Sequence, residues 1–257
     1  MSSILTHRSA AATILDNYSD VIEGGNSYRG SGDSYNGIPG TNFANLDLRG
    51  TTITASSAGS TTSIPFASGD YATDFWVKND SPRFFLMSTN NANNGAARRI
   101  SNWDNSGKAF TVAAFDNAVA QNDTFVPLQG FKRFPDNLDI LSDESTIGSG
   151  FDRFFELKLG AGTRIPFYGS GVETYESELV LRLRLQKRSR SRDTIESAME
   201  NALLMRSILT RPTHRDGTFT QLLDGTEGAP EVEAETDKIV VVSDSYNIRY
   251  RVFSVFL

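Results

Sequence analysis

The chain has 257 residues, with 25 lysines and arginines against 31 aspartates and glutamates, giving a formal charge of −6. That balance excludes a global attraction to nucleic acid or anionic lipid, so contact with either must come from a local patch. The absence of cysteine excludes disulfides and thiolate zinc sites. No apolar run approaches the roughly 20 residues of a membrane-spanning helix, and residues 1–8 lack the charged start and apolar core of a signal peptide. The expectation is a soluble protein made inside a cell, with no membrane partner. The 17 phenylalanines and 21 glycines favour strands and turns over a helical bundle.

Residues 2–22 read as a helix. Leu5, Ala11, Ile14, Leu15, Tyr18, Val21 and Ile22 recur at three- and four-residue steps, and Gly24-Gly25 stops the run. One amphipathic helix cannot bury its own stripe, so it must dock on another part of the chain. Residues 25–45 are rich in glycine, serine and asparagine and read as a loop or arm. From 46 to 137, short apolar stretches at 51–54, 63–66, 74–77, 83–87, 97–101, 109–112 and 124–126 alternate with turn chemistry. The turns include Gly69-Asp70, Asn79-Asp80, Asn93-Asn94-Gly95 and Asn105-Ser106-Gly107. That spacing predicts a small antiparallel barrel or sandwich without a helix.

Residues 136–150 are acidic and turn-rich and read as a seam. The stretch 154–159 alternates as a strand, and a glycine-rich loop at 160–171 leads to a second strand at 178–186, suggesting a hairpin with a long tip. In that second strand, period two puts Leu179, Leu181, Leu183 and Leu185 on one face and Val180, Arg182, Arg184 and Gln186 on the other. After the basic, serine-spaced link 187–192 the period changes. Ile195, Met199, Ala202 and Leu209, with Ala198, Leu203 and Ile208 beside them, build a helical apolar stripe, and Asp193 with Glu196 resembles a capping box. Residues 210–237 are a polar excursion in which Glu227, Glu231, Glu233 and Glu235 read as a solvated or disordered loop. Strands at 239–242 and 247–256 close the chain.

The fold class is therefore α+β. Residues 1–24 and 138–257 are expected to form a discontinuous domain, a small antiparallel or mixed sheet with two helices on one face. It carries an all-β barrel or sandwich inserted at 46–137, with 25–45 as the loop or arm before it.

Chemistry is sparse. The histidines are two, His7 and His214, and neither Gly-x-Ser-x-Gly nor a phosphate-binding Gly-x-x-x-x-Gly-Lys-Ser/Thr motif occurs. Gly30-Ser31-Gly32-Asp33-Ser34 resembles the start of a calcium loop but lacks the ligand ladder and closing glutamate. No catalytic, cofactor-binding or metal residues are assigned, and the chain is read as a non-enzyme. The informative constellation is basic. Arg182 and Arg184 alternate outward from one strand, Arg249 and Arg251 from the last, and Lys158 from the first. Together they make a candidate assembly or lumen patch on an acidic protein. Arginine forks suit carboxylate and phosphate alike. The face is thus open to three readings: a solvated surface with internal Arg–Glu pairs, a subunit interface, or contact with DNA in a ring lumen.

Two resemblances attach to these residues. Residues 151–257 with the early helix resemble the tail terminator proteins of long-tailed bacteriophages, in element order and in strands such as 178–186 and 247–256. That family is described as an α/β fold whose members form a hexameric ring. The ring caps the tail tube and joins it to the head-side connector or stopper. The stretch Asn94-Gly95-Ala96-Ala97-Arg98-Arg99-Ile100-Ser101-Asn102-Trp103-Asp104, then 108–112, then Asn122-Asp123-Thr124-Phe125, resembles a β module recurrent in phage virion proteins, with Asn122 in place of the usual glycine. These resemblances imply a structural protein of the virion neck, assembled in the host cytoplasm. Its partners would be copies of itself in a ring, expected to be hexameric, the tail tube protein and the head-side connector, with passing contact with phage DNA. The alternatives are another neck or head-completion protein, or a carbohydrate- or receptor-binding module in which Trp76 and Trp103 stack on sugar.

Overall fold

The computed structural model describes residues 7–24, 37–40, 52–67, 71, 84–145, 147, 152–165, 172–187, 193–210, 220–222 and 228–253. The expected strand at 74–77, Leu5, His214 and the residues 30–34 lie outside the described residues. The first described element is helix α1 (His7–Glu23). Strands β1 (Ile53–Thr54), β2 (Ser63–Pro65), β3 (Phe84–Ser88), β4 (Ala97–Asp104), β5 (Ala109–Val112) and β6 (Thr124–Gln129) follow, with a 3-10 turn at Asn91–Asn93. Next come β7 (Lys132–Arg133), β8 (Arg153–Leu159), β9 (Thr163–Ile165), β10 (Val172–Gln186) and helix α2 (Asp193–Leu209). Strands β11 (Thr220–Leu222), β12 (Glu231–Glu235) and β13 (Ile239–Phe253) complete the order. Among the described residues the fold is α+β, with two helices and two sheets.

The larger sheet runs β11-β13-β10-β8-β7, with β12 also on β13 and β9 also on β10. Its spine is the antiparallel pair β10 and β13, in unbroken register from Val172↔Phe253 to Gln186↔Ile239. The leucine face of β10 is fully shielded: Leu179, Leu181 and Leu183 are inaccessible to solvent. Both helices cover it. Ile14, Tyr18 and Ile22 of α1 and Ala198, Ala202, Met205 and Leu209 of α2 share one core with those leucines and with Phe155, Val240, Val242, Tyr246 and Ile248. The expectation of two helices on one sheet face agrees with this packing. The expected tip between β8 and β10 is partly strand: β9 folds back so that Ile165 lies opposite Thr174 of β10.

The smaller sheet runs β1-β6-β3-β4-β5-β2. It curls until its outer strands meet, with Ser56 N donating to Pro65 O at 2.9 Å. Inside lie Phe84, Leu86, Trp103, Phe110, Val112 and Phe125. The turn after Gln121 enters β6 through Asn122, whose φ of +70° is the left-handed conformation that glycine adopts without penalty and asparagine tolerates best among the rest.

The two cores are sewn together. β6 leads through Phe131 into β7, which pairs in parallel with β8 of the larger sheet. Phe131 belongs to the helix-side core, whereas Phe134, Ile140 and Phe154 belong to the core of the curled sheet. The Arg99 guanidinium donates to Gly24 O at 2.8 Å, tying β4 to the end of α1. β7 thus joins the larger sheet although it falls within the stretch read as the insert.

Two sequence expectations are corrected. The two closing strands are one, β13, because Asp244 between the apolar runs is buried and paired with Arg206 of α2. A polar residue that satisfies its charge need not break a strand. The glutamate run read as a solvated or disordered loop contains β12, an edge strand whose Glu233 and Glu235 are held by Arg182 and Lys187.

Candidate assembly surface

The arginine-bearing face of β10 is opposite the helices. Period two delivers Arg182 and Arg184 to it, and cross-strand neighbours complete it: Glu156 of β8 stands opposite Arg182, and Phe154 opposite Arg184. Arg182 is the hub. Its Nη1 lies 3.2 Å from Glu156 Oε2, and its Nε and Nη2 grip the Glu233 carboxylate at 2.8 and 2.5 Å. Lys158 Nζ adds a second cation to Glu156 at 3.0 Å. The hydrogen bonds that Arg182 donates to Glu233, with a lesser contribution from the one to Glu156, hold the guanidinium pKa above its ordinary value, against burial, which ranks between the two. Three strands, β8, β10 and β12, are thereby clamped by one side chain.

Arg184 corrects the expectation of an outward patch. Its parity is as read, but the residue is fully buried, because the segment from Phe134 to Glu144 lies over it. Nη1 donates to Ile140 O at 3.2 Å, and the guanidinium carbon sits 5.0 Å from the centre of the Phe134 ring. Burial lowers its pKa, opposed by Asp143, Glu144 and Asp139 nearby. Asp139 and Asp143 are themselves held below the usual carboxylate value, each chiefly by the hydroxyl it accepts from, Ser142 and Ser145 respectively.

Arg249 and Arg251 lie apart from this group. Arg249 Nε donates to Glu176 at 3.0 Å. Glu176 is six residues from Arg182 along β10, about 20 Å at the usual strand rise. Arg251 is exposed opposite Thr174 and, like buried Arg184, has no ion pair to another described residue. The five cations therefore do not form one basic patch. Lys158 and Arg182 share a neutralised cluster, Arg184 is sealed in, and Arg249 and Arg251 mark the far end of the sheet. Internal Arg–Glu pairs are one of the three readings of this face, and Glu156 alternates outward with Lys158. The sequence reading did not single out Glu176 as a partner, nor Glu233 as a strand residue, although the period-two spacing of Glu231, Glu233 and Glu235 is that of a strand.

On the opposite face, Arg206 of α2 grips buried Asp244 and donates through Nη2 to Gly228 O at 2.8 Å. Burial first, and then Asp244, push the Tyr246 hydroxyl well above its ordinary pKa. This cluster locks α2 to the sheet and offers no open position.

Trp103 is only 4% exposed, edge-on to Tyr71 at 5.1 Å and tilted against Phe110 at 4.7 Å. Packing inside the curled sheet removes it from any sugar-stacking surface, while Trp76 lies outside the described residues. His7 opens α1. Among the described residues no group of three or more histidines, cysteines or carboxylates is arranged to hold a metal, and no helix is long and apolar enough to cross a membrane. The arrangement offers surfaces for contact, with charged side chains already fixed in place by partners on neighbouring strands. No protein-family model matches the chain, and a search of curated proteins finds no match.

Proposed function

We propose that this chain is a structural protein of the bacteriophage head–tail neck, acting as a tail terminator that closes into a ring, caps the tail tube and receives the head connector. The observation that carries this reading is the layout of the larger sheet. An N-terminal helix and a late helix lie side by side on one face of a sheet built from the C-terminal strands, in the element order to which the terminator resemblance refers. The second support is the long β10–β13 ribbon. Its Val172–Ser177 half reaches beyond β8, where β9 and β11 flank it, and carries Arg249 and Arg251 on its surface. A sheet face of this kind, exposed at Asn247, Arg249 and Arg251, suits contact between neighbouring copies in a cyclic assembly, where one surface meets a different surface of the next subunit.

The mechanism is assembly, not catalysis. One face of the ring blocks further growth of the tube and the other accepts the head side. Electron microscopy of the purified chain, alone over a range of concentrations and mixed with tail tubes of its own phage, tests this. Closed rings, or tubes capped at one end, are expected; particles that neither close nor cap would overturn it.

A further inference from the structure

Strand β12 forms an edge of the larger sheet. It pairs with β13, and among the described residues no strand lies on its outer side. The two large apolar side chains most exposed among the described residues are Val232, on this strand, at 42%, and Leu203 of α2 at 49%. They belong to the same flank of the molecule. Arg206 of α2 reaches out to Gly228, the start of the segment that becomes β12, and Leu203 precedes Arg206 by three residues, on the same side of the helix. Val232 stands opposite Val242, two residues along β13 from Asp244, which Arg206 grips.

The edge is also acidic. Glu231, Glu233 and Glu235 alternate along it and Asp237 follows in the turn. Glu233 and Glu235 are paired inward to Arg182 and Lys187, while Glu231 is exposed without an ion pair to another described residue. Pairing β12 with the β12 of a second copy would bring glutamates against glutamates, which is unfavourable across strands. The bulge between Val232 and Ala234 further blunts indiscriminate edge pairing. A strand bearing lysine or arginine at alternate positions removes the repulsion and leaves only the bulge for its backbone to follow. Its backbone would complete the edge, its charges would face Glu231 and its neighbours, and its apolar side chains would cover Val232 and Leu203.

We propose that the β12 edge, with Val232 and Leu203 beside it, is a docking site for an extended, basic segment of a partner protein, taken up as an added strand. This does not depend on ring closure and would stand if the chain proved to cap no tail.

The test uses the full chain and two fluorescent heptapeptides, one alternating lysine with valine and one alternating glutamate with valine. The lysine peptide is expected to bind about tenfold or more tighter, to weaken as salt is raised, and to slow amide hydrogen exchange at residues 231–235. Glu231→Lys, at an exposed position, should leave the melting temperature unchanged and weaken the lysine peptide severalfold. Equal binding of the two peptides would overturn the proposal. So would protection from exchange elsewhere than 231–235, or self-association of the free chain that itself protects 231–235.

Discussion

A methyl group added to Gly40 would sit 1.4 Å from Nη1 of Arg153. The same carbon would lie 2.7 Å from Gln129 O, whose carbonyl accepts the Gly40 N–H at 2.9 Å. Arg153 is 3% exposed, 5.9 Å from the Phe131 ring centre, and burial lowers its pKa to about 10. The segment at 37–40 therefore passes a buried guanidinium at Gly40, with no room there for a side chain.

Gly40→Ala is expected to destabilise the chain by about 1–3 kcal/mol, the usual range for overpacking, because neither the backbone of Gln129 nor the packed Arg153 can retreat cheaply. Gly228→Ala, where an added carbon meets nothing within 4 Å, should be close to neutral. Urea denaturation of both variants checks this. Shortening the arginine in the Gly40→Ala background should recover part of the loss, the coupling expected of residues in contact.

Asn122 provides a backbone test at the entry to β6. Its N–H donates to Ala55 O and its carbonyl accepts from Asn90 Nδ2 at 3.2 Å, so both backbone groups are engaged while φ is +70°. Asn122→Gly keeps those bonds and removes the residual strain, so thermal stability should be unchanged or slightly raised. Asn122→Val should lower it by about 1–2 kcal/mol, the penalty of left-handed backbone for a residue with a branched Cβ.

Ile14 of α1 is 2% exposed and packs in the core beneath β8 and β13. Ile14→Ala is expected to cost about 2–5 kcal/mol and to lower the melting temperature of the whole C-terminal sheet. A thermally silent substitution would mean that α1 contributes nothing to that core.

Why so much of this fold could be read from the chain, and some could not, is visible in particular residues. Helix α2 was legible to its ends, since 193–209 carries a 3.6-residue stripe without glycine or proline. The alternation of β10 correctly separated the leucines from Arg182 and Arg184. Periodicity names a face, however, and says nothing of what covers it. Arg184 is buried by Phe134 and Ile140, more than forty residues upstream, and no local pattern announces that. The same blindness split β13 in two at Asp244, whose partner Arg206 comes from another element. It also dissolved β12 into loop, since the strand's glutamates are supported by cations on β10 and just after it.

Alkaline pH should expose the tyrosine cluster on the sheet. Tyr246 is raised by burial and then by Asp244; Tyr250 by burial; Tyr175 by its 2.7 Å hydrogen bond to Glu173. Each folded pKa lies above the unfolded value of about 10. Stability from these groups is therefore complete below pH about 10 and is lost as pH rises past it toward the folded values. Spectrophotometric titration should show some of the eight tyrosines ionising late, together with unfolding. Tyr246→Phe should make the alkaline loss of stability shallower.

Arg184 allows the cost of a buried charge to be separated from the cost of an empty space. The guanidinium gives one hydrogen bond, to Ile140 O, and lies over Phe134, while its Nε and Nη2 are buried without a hydrogen-bond partner. The hydrogen bond and the ring contact each contribute on the order of 2 kcal/mol, and two unsatisfied donors cost a similar amount. Replacing such a group by an apolar side chain of like length is commonly neutral or stabilising. Arg184→Met should therefore melt within about 1 kcal/mol of the parent, whereas Arg184→Ala, which leaves the volume unfilled between β10 and the 134–144 segment, should lose about 2–5 kcal/mol. Equal, large losses in both would mean that the charge itself holds that segment down. Neither change alters the solvent-facing surface, so ring closure measured at equal folded concentration should be unaffected by Arg184→Met. Under the assembly reading, Arg249→Ala and Arg251→Ala, at exposed positions of β13, should leave the melting temperature nearly unchanged and weaken closure.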